Sequence, residues 1–222
     1  MSKPAIEIRR HEAKNPWTYR LLDLRQREIA TRVREGGAGA ILLSELAPVI
    51  TVGRRTAPGD FKLDQTALAM RGVEVVEVDR GGLATYHGPG QWVLFAVDSL
   101  ERLTGDRRGV RIAVEGLLGL AHEVARRVEP QAEIRGGLET GVWGPRGKLA
   151  SIGIHIDQGI LLHGLALNGF ATDTSFLGIR PCGLDALPEF LANSEDQELF
   201  VRLGQELVQG AQERFWDLKR DT

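Results

Sequence analysis

The segment RGGLATYHGPGQ, residues 80–91, sets an arginine, a tyrosine and a histidine among glycines at 81, 82, 88 and 90 and a proline at 89. Glycine loses more backbone entropy on folding than any other residue, so this density implies a backbone requirement. A phosphate cradle needs a glycine loop that opens onto a helix N-terminus. Here the loop runs into WVLFAVD, a strand pattern, and the spacing is not G-x-G-x-x-G. The plain alternative is a tight turn. The sharper one is a wall at which a ligand touches backbone beside Gly81 and Gly82, with GPG fixing the exit and presenting Tyr86 and His87 at a set angle. The single cysteine, Cys182, lies in GIRPCGLDA. A lone cysteine is ordinarily a small buried hydrophobe. Pro181 and Gly183 put this one in a turn, where an accessible thiol becomes a nucleophile if a nearby cation lowers its pKa. His87, His163 and Lys148 are all candidates for that cation, and a Cys–His pair would suggest a protease or a transglutaminase-like enzyme. Lys148, entering the run GKLASIGIHI, is by default a solvated lysine at a strand end. His163 interrupts the apolar run LLHGLALN and is by default a satisfied core histidine. No HExxH occurs, and His11, His122 and His155 have no partner at metal-ligand spacing, so no metal is expected.

Strands and helices must position these groups. AIEIRRHE reads as an edge strand, AILLSEL as a buried strand and PVITVGRR as another. Between residues 16 and 35, Leu22, Ile29, Ala30 and Val33 recur at helical spacing, and Gly36–Gly37 stop that helix. A short helix over residues 65–70 precedes the valine-rich strand VEVVEVDR. The run VRIAVEGLLGLAHEVARRV is the strongest helix, with Ile112, Leu117, Leu120 and Val124 near one face despite internal glycines. GVW and GKLASIGIHIDQGILLHGLALN read as strands, the second a hairpin turning at residues 157–159. Residues 196–219 form a second amphipathic helix, and TAPGDFK and LTGDRRG read as surface loops. The pattern predicts a mixed sheet with helices, α+β or α/β, in a single domain over residues 1–222.

Composition narrows the function classes. The 222 residues carry 28 basic and 30 acidic side chains, a net charge of −2, without the basic excess of a nucleic-acid binder. A 42% hydrophobic share supports a sizeable core. No apolar run reaches membrane-spanning length, and the N-terminal residues lack an apolar signal core. A cytoplasmic protein with no nucleic-acid or membrane partner is expected.

RGGLATYHGPGQ, GKLASIGIHI, HGLALN and IRPCG, in this order and approximate spacing, resemble the lipoyl(octanoyl) transferase family, and PVITVGRR resembles its upstream strand. The resemblance runs from about Pro48 to Gly183. It implies a fold like the catalytic domains of biotin protein ligase and lipoate–protein ligase. It also implies transfer of an octanoyl group from octanoyl-acyl carrier protein to a lysine of a lipoyl domain, such as those of 2-oxoacid dehydrogenase acyltransferase subunits and the glycine cleavage H protein. No cofactor is implied, because the octanoyl-phosphopantetheine arrives as substrate. Carried over by motif, Cys182 is the thioester nucleophile, and Lys148 lowers its pKa and moves its proton. The implied substrate-binding residues are Arg80, Gly81, Gly82, Leu83, Ala84, Thr85, Tyr86 and His87, then Ser151, Ile152 and Gly153, then Gly164, Leu165 and Ala166. The glycines and Ala84 would leave room for the acyl chain. This chain departs from the family in the aliphatic GILLHG and in Gly169 after LALN, positions expected to border the acyl channel. The alternatives are an ATP-dependent lipoate ligase on the same fold, disfavoured by the cysteine, and a non-catalytic acyl-binding module, disfavoured by the joint presence of Cys182 and Lys148.

Overall fold

The computed structural model describes residues 3–180 and 187–217. In chain order the elements are β1 Ala5–Arg9, α1 Tyr19–Arg34, β2 Ala40–Ser44, β3 Val49–Val52, α2 Gln65–Ala69, β4 Glu74–Glu77, β5 Thr85–His87, β6 Gln91–Val97, α3 Leu100–Thr104, α4 Val110–Arg126, β7 Glu133–Arg135, β8 Gly141–Trp143, β9 Lys148–Asp157, β10 Ile160–Asn168 and α5 Gln197–Phe215. A seven-stranded sheet has the order β1-β2-β6-β10-β9-β8-β7, and a three-stranded sheet the order β4-β3-β5. In the large sheet β1 and β2 are parallel and the remaining pairs antiparallel. Among the described residues, no helix is long and apolar enough to cross a membrane. The expected mixed sheet with helices is therefore present, and β1 is an edge strand. Sequence reading did not anticipate β5, which lies inside the glycine-rich segment.

Side chains on a strand alternate between faces, and this period assigns the two layers. On β6, Trp92, Leu94 and Ala96 join the core under α3, α4 and α5. Val93, Phe95 and Val97 join the core under α1. β2 splits the same way, with Ile41 and Leu43 on one side and Ala40 and Leu42 on the other. β10 obeys the rule except at one position. Leu161, Leu165 and Leu167 face α4 and α5, and Ile160, Leu162 and Ala166 face α1. His163 should follow Leu161 and Leu165. Instead its φ of 61° lies in the left-handed region, unusual for a residue other than glycine, and its ring packs edge-on against Phe95 with centroids 5.4 Å apart. One backbone irregularity thus moves the imidazole to the α1 face, where the cavity lies.

The helices are fixed by their caps and stripes. Thr18, Asp64, Ser99 and Asp196 each accept a backbone N–H in the first turn of the helix they open, satisfying donors that have no intrahelical partner. On α4 the buried residues include Ala113, Leu117, Leu120, Ala121 and Val124. Ile112 is 47% exposed, which corrects its placement on the apolar face. It precedes Ala113 by one residue, about 100° around the helix. The two glycines within α4 have a packing reason. A Cβ on Gly116 would come within 2.9 Å of Phe215, and one on Gly119 within 2.6 Å of Arg214, so they let α5 lie close. Phe200 of α5 stacks on Trp92, with centroids 4.6 Å apart, and the Trp92 indole N–H donates to its carbonyl.

Phe200→Ala, which empties the centre of the α5 layer, is expected to cost about 3–5 kcal/mol. Ile112→Ala should stay within about 0.5 kcal/mol of the parent. Urea unfolding of both variants checks the layer assignment, and comparable losses would contradict it.

Candidate functional site

Three of the predicted segments converge on one narrow cavity of about 60 Å³ between the α1 face of the large sheet and β5. Arg80, Gly82, Leu83, Thr85 and His87 form one side of it. Ser151, Ile152, Gly153, Gly164, Leu165 and Ala166 come from the paired strands β9 and β10. Gly81 lines an adjoining cleft instead. Ala84 and Tyr86 are brought near but turned away. Along β5 the alternation sends Thr85 and His87 to the cavity, while Ala84 and Tyr86 pack with Ile50, Leu68 and Ile179 on the opposite face. The Tyr86 hydroxyl lies 2.8 Å from that of Thr174. The room left by two of the glycines is filled by protein. A Cβ on Gly88 would fall 1.9 Å from the Tyr86 hydroxyl, and one on Gly90 2.2 Å from the Phe170 carbonyl. Gly82, with φ 93°, does face the cavity.

The residue types look polar, yet their polar atoms engage one another. Arg80 is 7% exposed. Its guanidinium donates to the carbonyls of Gly81, Leu83 and Thr51 and to the Thr51 hydroxyl, at 2.7–3.0 Å, holding the glycine segment shut over β3. His87 is neutral: burial, reinforced by the Arg80 charge, pushes its pKa down to about 3. Its Nδ1–H donates to Gln91 Oε1 at 2.7 Å. Gln91 Nε2 donates to Asn168 Oδ1, and Asn168 Nδ2 to the carbonyls of Lys148 and Glu189. His163, 1% exposed, is likewise lowered by burial. Its Nε2–H donates to Asp79 Oδ1 at 2.7 Å, and its Nδ1 accepts from the Tyr19 hydroxyl at 3.0 Å. The hydrogen bond from His163, with Arg27, holds the Asp79 carboxyl well below the usual carboxylate range, and burial raises the Tyr19 phenol above its ordinary value. With Val93 and Phe95 these side chains give the cavity a mostly apolar lining, in which the Thr85 and Ser151 side chains and the His87 Nε2 edge are the polar points. Neither histidine can serve as a cation near neutral pH. Sequence reading missed Tyr19, Val93 and Phe95, which stand in segments with no chemical signature.

The cavity opens through Gly82, Leu83, Ser151, Ile152 and Gly153 into a wider cleft of about 520 Å³ lined also by Lys148, Thr140 and Leu138. Lys148 is not a solvated lysine. It is 8% exposed, its Nζ donates to the Thr140 carbonyl at 2.8 Å and lies 5.4 Å from the Trp143 ring centroid. Gly141 makes this possible, because a Cβ there would stand 2.3 Å from Lys148 Cε. Beyond Ala150, β8 no longer pairs with β9. The Ile154 carbonyl on that free edge accepts from Gly81 N. Since N–H and C=O of alternate residues point to the same edge, the Ile152 amide faces the cleft as well. Cys182 lies outside the described residues. The described chain resumes at Leu187, whose carbonyl accepts from the Lys148 amide, and the Glu189 amide donates to the Lys148 carbonyl. The aliphatic Leu161 and Leu162 sit in the two cores, and a Cβ on Gly169 would meet Phe200 at 2.3 Å. These departures from the family pattern therefore do not line the cavity.

A family model described as the lipoyl protein ligase A/B catalytic domain matches residues 20–195. An octanoyltransferase of Geobacter metallireducens is 40% identical over 167 residues, covering 73% of this chain and 72% of that protein. One of Rhodococcus opacus is 37% identical over 166 residues, covering 72% of this chain and 62% of its own length. A lipoate-protein ligase A solved with ATP superposes at TM-score 0.70 with 11% identity, over 96% of this chain and 85% of that one. Biotin protein ligase from Leishmania major superposes at 0.51 with 11% identity, over 98% and 78%. The fold is that of lipoate and biotin protein ligase catalytic domains, and the chain belongs to the lipoyl protein ligase A/B family. Within it, the Geobacter and Rhodococcus relatives are both octanoyltransferases. The matched region spans less than two thirds of the Rhodococcus protein.

The neutral His87 has a consequence for acid stability. Its pKa is about 3 folded against an unperturbed value of about 6.5, so between these limits the unfolded chain binds a proton that the folded chain refuses. Its contribution is complete above about pH 6.5 and is lost as pH falls, with a slope approaching about 1.4 kcal/mol per pH unit. His87→Gln should flatten the stability profile between pH 7.5 and 5, read from urea midpoints. Parallel profiles would contradict a neutral His87.

Proposed function

We propose that this chain transfers an octanoyl group from octanoyl-acyl carrier protein, through a thioester on Cys182, to a lysine of a lipoyl-domain protein. The observation that carries the reading is the junction of two spaces: a narrow cavity with a mostly apolar interior, and an open cleft at whose wall Lys148 is held. A saturated chain suits the first, and a large carrier or acceptor protein can reach only the second. The names of the sequence relatives support the same assignment. The acceptors in this reading are 2-oxoacid dehydrogenase acyltransferase subunits and the glycine cleavage H protein. The whole chain acts as one cytoplasmic catalytic domain that needs no cofactor.

The chemistry is two acyl transfers. A cation near Cys182 favours the thiolate by direct charge pairing, and Lys148 fills that role because neither His87 nor His163 is charged. The Cys182 thiolate attacks the thioester carbonyl. A new carbon–sulfur bond forms, the bond to the phosphopantetheine sulfur breaks, and the departing thiolate takes a proton from Lys148. The acceptor lysine then attacks the Cys182 thioester. Its amine gives a proton to the now neutral Lys148, the amide bond forms, and Cys182 leaves as thiolate. Exchange of one thioester for another requires no ATP. A preorganised backbone donor for the oxyanion contributes typically about 2.7–4 kcal/mol to such a step, and the Ile152 amide on the free edge of β9 is suited to it. Arg80 and Gly82, with Leu83, Thr85, His87 and the β9–β10 residues, bind the acyl chain directly, and Gly81 borders the cleft at its thioester end. Ala84 and Tyr86 act from behind that wall.

Mixed with octanoyl carrier protein without ATP, the chain should gain the mass of one octanoyl group, removable by hydroxylamine. Cys182→Ser should gain none and lose transfer to a lipoyl domain by more than a thousandfold. A Cys182→Ser protein with near-normal transfer would end this mechanism. Acylation only in the presence of ATP would favour a ligase.

A further inference from the structure

We propose that Tyr19 is the end wall of the acyl cavity and sets the longest chain the protein accepts. The inference rests on the octanoyl-transfer reading above and extends it to specificity. Among the described residues, Tyr19 lines both the narrow cavity and a second, outer groove of about 690 Å³. It is therefore the partition between them. The groove beyond is charged: Arg20, Asp23, Arg27, Glu77 and Asp79 all face it. A hydrocarbon chain that runs from the Lys148 cleft to Tyr19 has mostly apolar surface around it until that ring. Past it, methylenes would meet a wide groove in which these ionic groups alternate with Leu24, Val76 and Val78, and would gain less from burial than in the narrow cavity.

The partition is held on every side. Tyr19 is the first residue of α1 and is 1% exposed. Its hydroxyl donates to His163 Nδ1 at 3.0 Å, and its ring stacks on His87 at 6.1 Å with an interplanar angle of 11°. His163 is fixed in turn by Asp79 at 2.7 Å and by Gln26, whose Oε1 accepts the His163 amide at 2.9 Å. Asp79 is anchored by Arg27 at 3.0 Å. Swinging the ring aside would leave the buried tyrosine donor without its partner and His163 Nδ1 with only the longer 3.4 Å contact to Gln26 Nε2, so the wall resists lengthening of the cavity. This explains an otherwise costly arrangement, a histidine in the left-handed region at the middle of a strand: its turn toward α1 brings Nδ1 to the tyrosine.

The test compares the parent, Tyr19→Phe and Tyr19→Ala across hexanoyl to tetradecanoyl carrier proteins, reading kcat/KM for each length. The parent and Tyr19→Phe, which keeps the ring, should share one length limit. Tyr19→Ala should raise the dodecanoyl-to-octanoyl ratio at least tenfold by opening the cavity into the groove. A folded Tyr19→Ala with the parental length profile would overturn the inference while leaving octanoyl transfer standing. Failure of the parent to transfer any length would instead count against the reading on which it rests. A second arm needs neither turnover nor a variant. Binding of free fatty acids to the parent, followed by native mass spectrometry, should tighten about fourfold per added methylene up to the limit and then level off. An octanoate analogue with a terminal diazirine should crosslink to Tyr19, Phe95 or His163. Crosslinks confined to Leu138 or Thr140, or affinity that keeps rising to tetradecanoate, would overturn it.

Discussion

Asn168 closes a buried hydrogen-bonded chain on which the site depends. Its side-chain oxygen accepts from Gln91, its amide donates to the carbonyls of Lys148 and Glu189, and Gln91 continues to His87. A buried amide left without partners is costly, so each link constrains the next. The end of β10, the start of β6, the start of β9 and the segment that follows Cys182 are thereby fixed to one another. These pieces of backbone adjoin or carry the histidine of the glycine segment and the lysine. The chain of hydrogen bonds brings three motifs, spread over residues 80–168, into one geometry.

The same demand for satisfied polar groups makes an apolar cavity from polar residue types. Tyr19, Arg80, His87 and His163 all line it, but most of their donors and acceptors engage the surrounding protein. Burial keeps the two histidines neutral. Besides Arg80, whose guanidinium is tied to the Gly81, Leu83 and Thr51 carbonyls, the charged groups stand at the two ends, with Lys148 in the cleft and Asp79 with Arg27 behind the partition. A site with a polar mouth, a mostly apolar shaft and a stopped end would suit the proposed acyl thioester, whose carbonyl would meet charge and backbone donors while its tail met mostly apolar surface.

Much of this was legible in the sequence because buried strands are apolar throughout and amphipathic helices repeat at helical spacing. β6 read correctly from its continuous apolar run, the β9–β10 hairpin from the turn at residues 157–159, and α1, α4 and α5 from apolar spacing, apart from Ile112. The cavity side of the glycine segment was legible only in part. A strand of three residues is too short to show a period, so nothing marked Ala84 and Tyr86 as facing away while Thr85 and His87 face in. The space beside Gly88 and Gly90 belongs to Tyr86 and Phe170, and a sequence cannot distinguish room for protein from room for ligand. His163 escaped because its left-handed φ breaks the alternation that would assign it to the α4–α5 side. The burial of Lys148, though not its candidacy, escaped because lysine defaults to solvent, and the glycine that makes space for its side chain, Gly141, lies on a different strand. Tyr19 had no local signal; only the fold brings α1 to β10.

The central claim is spatial: the acyl tail occupies the shaft between β5 and the β9–β10 pair, with its carbonyl toward Lys148. The most direct measurement is a crystal structure of the protein after reaction with octanoyl carrier protein. The account predicts density for the acyl chain running past Gly82 and Ile152, with its terminal methyl against Phe95 and Tyr19 and its carbonyl oxygen within hydrogen-bond distance of the Ile152 amide. An acyl chain lying along Leu138 in the open cleft, with the shaft unchanged, would contradict it.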